Sequence, residues 1–535
     1  MSTGADHPPA PKGSLALLLH AHLPFVRHPE HEDFFEEDWL YEAITETYIP
    51  LLKILRALVA ERVPIRLTLT LTPTLCAMLS DPLLQARTAR YLERGLELSA
   101  GEIERTSGNE SLNTLARFYR DRFLEARNFY EKEVSRDLIG AFAQLQADGI
   151  LEIITCAATH GFLPLMESCP EAMRAQIFIG CDSHKEFFGV EPSGIWLPEC
   201  GYVPAVDRLL QEANLRWFVV DAHGLMYGTP RPRFAIYTPY FTPSGPAVFA
   251  RDREASKQVW SAREGYPGDP AYRDFYRDIG TELPEEYLHR VLPNMGHRKP
   301  TGIKYHRITG REPKEVYRLD WAMGAADAHA EDFMRSRVKQ FEHLSTTLPV
   351  PPILLVPFDA ELFGHWWFEG PRFLDLFLRK AAFDQKVFDL TTPTRYLSEN
   401  PTQQIMAPSA SSWGNKGYYE VWLDPCNAWI YPHLHAAART MTKSARRFQQ
   451  TRSKTTQRTL QQMARELLLA QSSDWAFLMK TGTAKEYAEK RTKTHLLRFQ
   501  KLCDSLESGS RNPDFLAACE QRDNLFPNLN WKHYL

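Results

Sequence analysis

The chain has 535 residues, with 63 basic and 66 acidic side chains and a formal net charge of -3. That near balance excludes a protein whose whole surface attracts nucleic acid or an anionic membrane, and the length exceeds one ordinary core, so two or three domains are expected. Eight cysteines without a CxxC pair offer no structural zinc pattern, and a core this large needs no disulfides, so reduced thiols in a cytoplasmic protein are expected.

Residues 1–12 are polar with three prolines and read as a disordered leader. Leu15 to Leu19 is too short for a signal or a membrane span. Ser14 to Leu19 reads as a buried strand that runs into His20-Ala21-His22-Leu23-Pro24. Trp39 to Ala60 follows with an apolar stripe at helical spacing, then Ile65 to Leu71 as a strand broken by Pro73. Strand, helix, strand is the rhythm of an α/β fold with parallel strands.

Leu83 to Leu98 is helical, and residues 108–150 carry apolar residues only at helical spacings, which predicts a small helical insertion. Leu151 to Cys156 returns as a strand leading to Thr159-His160-Gly161. Glu171 to Phe178 and Ala205 to Glu212 read as helices, and Trp217 to Val220 as a strand ending at Asp221-Ala222-His223. Residues 225–315 are irregular, rich in proline, glycine and aromatic rings, with a long loop or hairpin up to Ala250. Ala325 to Leu344 and Phe373 to Phe383 are helical, and from 411 the chain becomes a helical C-terminal domain to residue 535.

Apolar runs end in turn at His20 and His22, at His160, at Glu199, at Asp221 and His223, and at Asp359. Five polar strand ends fit a barrel whose C-terminal rim holds the chemistry. Glu199 follows Gly194-Ile195-Trp196-Leu197-Pro198, and Asp359 follows Pro352 to Phe358. Two carboxylates at the ends of buried strands, beside Trp196 and Tyr202, point to glycosyl chemistry with one nucleophile and one acid. The plain competing reading is two unrelated acids. Asp359-Ala360-Glu361-Leu362-Phe363-Gly364-His365-Trp366-Trp367 is dense in acid, imidazole and indole, so His365 and Trp366 are candidate sugar contacts. An alternative makes His20, His22 and Asp359 a metal triad, since an H-x-H pair opens several metallohydrolases. Asp474, after Ser472 and Ser473, reads first as a helix N-cap. No glycine-rich phosphate loop is present, so nothing indicates a nucleotide.

Five motifs in order, His20 to Pro24, His160 to Pro164, Trp196 to Tyr202, Asp359 to Trp366 and Ser473 to Phe477, resemble those of glycoside hydrolase family 57. Within that family they resemble the 1,4-alpha-glucan branching enzymes, through segments around Arg231 to Pro246, Val259-Trp260, Tyr266 to Asp269 and Thr301 to Tyr305. The resemblance implies an incomplete (β/α)7 barrel over 12–107 and 151–410, a helical insertion at 108–150 and a C-terminal helical domain at 411–535. It implies Glu199 as nucleophile and Asp359 as general acid and base, with no cofactor and no metal in the chemistry. Implied substrate contacts are His20, His22, His160, Trp260, His365, Trp366, Trp413, Trp422 and Asp474, with Tyr240 at the tip of a lid over 231–250. The implied partner is alpha-1,4-glucan, amylose or glycogen, as donor and acceptor, handled by a monomer or weak homo-oligomer without nucleic acid or membrane. The implied reaction forms an alpha-1,6 branch with retained configuration. The alternatives within the family are 4-alpha-glucanotransferase and alpha-amylase-type hydrolysis, and outside it a metal-dependent hydrolase or a non-catalytic glucan binder.

Overall fold

The computed structural model describes residues 11–260, 264–292, 298–509 and 512–535. Residues 1–10 of the expected leader lie outside the described residues. Nine strands form one sheet: β1 Gly13–Ala21, β2 Leu67–Leu71, β3 Leu151–Cys156, β4 Gly194–Trp196, β5 Trp217–Val220, β6 Tyr240–Phe241, β7 Ala247–Ala250, β8 Ile353–Asp359 and β9 Phe388–Leu390. The order is β6-β7-β5-β4-β3-β2-β1-β8, with β9 also on β1. All neighbours are parallel except β6 with β7.

Seven parallel strands curl toward closure. The seam is a single bridge between Arg251 and Leu355, with the Asp252 amide donating to the Leu355 carbonyl at 2.8 Å. This is the incomplete (β/α)7 barrel expected. Side-chain period two decides what fills it. Ala16 and Leu18 of β1, Ile154 and Cys156 of β3, Trp196, Trp217 and Val219, Ala247 and Phe249, and Ile353 and Leu355 form one buried cluster inside. The alternate residues Leu15, Leu17 and Leu19, Leu67, Leu69 and Leu71, and Leu354, Val356 and Phe358 point outward to the helices. Both faces of these strands are buried, which is why they read as near-continuous apolar runs. In β2 the alternation is visible, because Leu faces the helices and Thr68 and Thr70 share a face with Leu18 and His20.

Several elements sit where the pattern placed them, among them β3 and β5. Others needed correction. The stretch up to Ala250, read as a loop or hairpin, does hold an antiparallel pair, β6 with β7, but β7 is also a barrel strand parallel to β5, which was not foreseen. Four residues behind Pro246 are too short to show a period. The helix predicted at Leu83 to Leu98 runs Pro82–Arg105, and the one at Glu171 to Phe178 runs Pro170–Phe188. Residues 108–150 hold the helices Glu110–Asn128 and Leu138–Ala147.

The C-terminal helices are Ile430–Arg447, Lys454–Ala470, Ser473–Thr481, Lys485–Ser508 and Pro513–Arg522. They meet the barrel by specific contacts. The Ser473 amide donates to the His160 carbonyl at 3.0 Å, Gly161 bridges Ser472, and Thr159 donates to the Leu468 carbonyl. Arg491 donates to the Phe25 carbonyl at 3.0 Å. The start of helix Ser473–Thr481 is thereby fixed at the barrel mouth. Among the described residues no helix is long and apolar enough to cross a membrane.

Gly364 shows how closely the rim packs. Its φ is +121°, and a Cβ there would lie 1.8 Å from the Glu46 carbonyl oxygen. Gly364→Ala is expected to destabilise the protein by about 1–3 kcal/mol, read as a fall of several degrees in Tm; an unchanged Tm would show that the rim yields.

Candidate active site

The inward-facing set of each strand, continued past its C-terminal end, supplies the site. Ala16 and Leu18 lead to His20 and His22; Thr68 and Thr70 lead to Thr72; Val219 leads to Asp221; Phe249 leads to Arg251; and Leu355 leads to Asp359. His20 pairs with Asp359 in the β1–β8 register. Glu199 lies three residues beyond the inward Trp196, in a turn with φ 61° and ψ 24°. His160 and Cys200 also have positive φ, 56° and 50°. Each such non-glycine residue costs roughly 1–2 kcal/mol. Strain of this kind at the rim turns a side chain inward that a relaxed turn would release.

Both carboxylate oxygens of Glu199 are held. Oε2 accepts from the Trp413 indole at 2.8 Å, and Oε1 accepts from the Ser473 hydroxyl at 2.9 Å. Since that hydroxyl spends its proton on Glu199, it accepts from His160 Nδ1 at 2.9 Å. Burial keeps His160 and His20 neutral, their pKa values well below that of free histidine. His160 Nε2 is therefore bare and accepts from His20 Nε2 at 3.1 Å. His20 Nδ1 is then left without a proton, and it is a buried atom without a partner. The chain of donors runs one way, from His20 through His160 and Ser473 to Glu199.

His22 belongs to a second arm. Its Nε2 lies 3.0 and 3.1 Å from the two Asp474 oxygens, and its Nδ1 lies 3.1 Å from Thr72 Oγ1. Burial works against a charge on this ring, but the Asp474 carboxylate and its hydrogen bond raise the pKa. Burial likewise opposes the Asp474 charge, while His22, by its charge and its hydrogen bond, and the Ser472 hydroxyl hold its carboxyl down at about 2. The His22 and His160 rings stack at 3.8 Å, and His20 stacks on Trp196 at 4.9 Å.

The two candidate acids differ in surroundings. Burial raises Glu199, while the Trp413 and Ser473 hydrogen bonds pull it back. Asp359 receives no side-chain hydrogen bond from the described residues. Burial, then the Glu361 and Glu199 charges, push its carboxyl well above the usual range, against Arg251. Glu361 accepts from Tyr48 and from the His22 amide, and burial pushes it up to about 7. The geometry therefore separates a carboxyl held by two donors from one with no side-chain donor among the described residues, whose pKa burial and two neighbouring acids raise.

Donor atoms of His22, His160 and Asp474 lie within 4.8 Å of one another, as do those of Glu466, His495 and Asp523. The His20–His22–Asp359 triad is not among the clusters of metal-binding geometry in the described residues. In the first trio the donor atoms are already satisfied by Ser473, by His20 and by the His22–Asp474 pair. A proton on His22 suffices to balance Asp474.

Glu199, Asp359, His20, His22, His160 and Asp474 thus converge, and Trp413 joins them. The cap expectation for Asp474 is overturned: Ser472 is the N-cap and the Asp474 side chain turns to His22. Trp260 is 36% exposed and lies edge-on to Trp413 at 6.2 Å, so both offer rings at the mouth. Trp366 is 55% exposed and stacks on Phe275 at 4.5 Å; His365 binds Glu46 at 3.1 Å. Two expectations fail. Tyr240 is wholly buried in β6, its hydroxyl donating to the Ala235 carbonyl and accepting from the Phe234 amide, so it is no lid tip. Trp422 is 1% exposed beneath Phe162, stacked at 4.4 Å, so it lines core rather than cleft. Glu361 lies beside Asp359, as its place in the acid-rich run suggested, whereas Arg251 and the bond from Ser473 to Glu199 were not foreseen. Arg251 was findable as the inward position after β7, had that strand been legible; Ser473 stood in the fifth motif, but nothing in the motif told of its bond to Glu199.

The glycosyl hydrolase family 57 model matches residues 16–409, and a 1,4-alpha-glucan branching enzyme C-terminal model matches residues 433–534. The chain is 34% identical to a 1,4-alpha-glucan branching enzyme of Thermococcus kodakarensis, over 96% of this chain and 77% of that one. It is similar to the crystal structure of the alpha-amylase AmyC of Thermotoga maritima, with 42% identity, a TM-score of 0.91 and coverage of 98% and 99% of the two chains. A GH57-type branching enzyme of Pyrococcus horikoshii matches at 34% identity and a TM-score of 0.88, over 98% and 97%.

Asp474→Asn removes the largest of the charges that raise His22, leaving burial opposed only by the weaker effects of Glu199 and Glu361. The His22 pKa, followed by NMR of labelled histidine, is expected to fall below that of free histidine; an unmoved titration would break the His22–Asp474 pairing.

Proposed function

The chain belongs to glycoside hydrolase family 57, and on that footing we propose that it cleaves alpha-1,4-glucan with retention through a covalent glycosyl-enzyme. Asp359 protonates the glycosidic oxygen, and Glu199 attacks the anomeric carbon. Asp359 then takes the proton of the incoming acceptor, and the bond to Glu199 breaks. The observation that carries this reading is the contrast between the two carboxyls. Glu199 is clamped by two donors while Asp359 is left bare beside two other acids. We assign the barrel of 12–107 and 151–410 to the two acids. The part from 411 supplies Trp413, Ser473 and Asp474, and the helices of 108–150 are support.

For the acceptor we favour water or the 4-hydroxyl of a second glucan. The segment expected to form a lid is pinned down by bridges from Thr229 to Ala407 and from Phe241 to Ile405, with Tyr240 buried beneath it. A mouth without that ring admits water. The similarity to a protein described as an alpha-amylase supports the same choice. Branching, with transfer to a 6-hydroxyl, is the second reading. It is favoured by the match of residues 433–534 to the branching-enzyme C-terminal model.

Incubation with amylose is expected to give unbranched chains of altered length, with new reducing ends where water is the acceptor and an unchanged number where it is a 4-hydroxyl. Fresh short chains released only after enzymatic debranching would establish branching instead. Glu199→Gln is expected to lose at least about 10³-fold in kcat; an active, folded variant would remove Glu199 from the nucleophile role. Asp359 must carry a proton to act as acid, and the Glu361 charge helps keep it there. Glu361→Gln removes that charge while keeping an acceptor for Tyr48. The alkaline limb of kcat/KM is therefore expected to move to lower pH, and an unmoved limb would exclude this coupling.

A further inference from the structure

We propose that His223, held by Asp221 and Arg251, is a positioning residue that keeps the Trp413 indole on the nucleophile. His223 lies outside the acids and rings assigned above. It follows β5, and its Nε2 lies 2.7 Å from the carbonyl oxygen of Gly417. Its Nδ1 lies 3.3 Å from Asp221 Oδ1. A carbonyl oxygen only accepts, and so does an ionised carboxylate. Both ring nitrogens therefore carry protons, and His223 is an imidazolium. The Asp221 hydrogen bond favours this form against partial burial.

The other Asp221 oxygen accepts from Arg251, whose guanidinium carbon lies 5.9 Å from the Trp413 ring. Arg251 Nε is buried without a partner. The charged groups around His223 are thus Asp221, with Arg251 behind it, and Arg253, which opposes the ring's charge; the Tyr418 ring meets it edge-on at 5.6 Å.

What His223 grips is the loop that carries Trp413. The Gly417 carbonyl that binds His223 also accepts from the Ser412 amide at 2.9 Å. Trp413, the next residue, donates its amide to the Glu199 carbonyl at 3.0 Å and its indole to Glu199 Oε2 at 2.8 Å. Gly417 has φ +84°, and a Cβ there would lie 2.7 Å from the His223 ring. Only glycine lets the ring and the loop approach this closely. The relay runs from Arg251 through Asp221 and His223 to Gly417, Ser412, Trp413 and Glu199.

The inference rests on Glu199 as nucleophile, whose carboxylate must be ionised to attack. The indole bond stabilises that ionised form, so loosening it makes Glu199 easier to protonate. The test is the acid limb of kcat/KM on amylose. His223→Leu is expected to move that limb up by about one pH unit, with Tm within a few degrees of the parent. Gly417→Ala, which pushes on the same contact from the loop side, is expected to do the same and serves if His223→Leu does not fold. In a Trp413→Phe background, which has no indole proton to position, His223→Leu is expected to add no further shift. An acid limb that stays put in both variants would overturn the relay, and so would an equal shift in the Trp413→Phe background. An active Glu199→Gln enzyme would instead overturn the nucleophile assignment beneath it.

Discussion

The grip on Glu199 organises this molecule. One carboxylate oxygen is bonded to the Ser473 hydroxyl and the other to the Trp413 indole, and both donors come from beyond the last barrel strand. A buried carboxylate without donors takes up a proton and ceases to be a nucleophile. The barrel alone presents Glu199 but does not satisfy it. The docking of helix Ser473–Thr481 on His160, through the Ser473 amide, completes the site.

From that grip the remaining chemistry follows in order. Ser473 gives its proton to Glu199, so His160 gives a proton to Ser473, and His20 to His160. The neutral pair stacks between Trp196 and His22, whose pKa is raised by the Asp474 carboxylate against burial. Asp359 is buried apart from these donors, with the Glu361 and Glu199 charges beside it, which is why its pKa is raised. Two carboxyls at one barrel mouth thereby sit in different surroundings, one with two hydrogen-bond donors and one with no side-chain donor among the described residues. The cost is local: three residues at the rim hold left-handed backbone, and Gly364 and Gly417 allow contacts that a methyl group would block.

Much of the barrel was legible because its strands are buried on both faces. Leu151–Cys156 and Trp217–Val220 lie between clear breakers and match their expected bounds. β9 and the place of β7 in the barrel were missed because three or four residues show no period. The polar residues closing each run were the best guide to the site, since a charged side chain after a buried strand has few places to go but the rim. Tyr240 and Trp422 misled for one reason: a ring in an aromatic-rich stretch looks the same whether it will stack on a sugar or on Phe162.

The amino-acid sequence by itself determined the strands of the barrel and set Glu199 and Asp359 at strand ends, because burial and side-chain alternation are local properties of the chain; the proposed pairing of these two acids came from the resemblance of their motifs to those of the family. Tertiary structure alone decided which acid receives hydrogen-bond donors and which rings stay open. Those outcomes depend on donors and neighbours brought from far along the chain, as with Ser473 and Glu199, 274 residues apart. Desolvation and hydrogen bonding act through space, and no spacing within a motif records them.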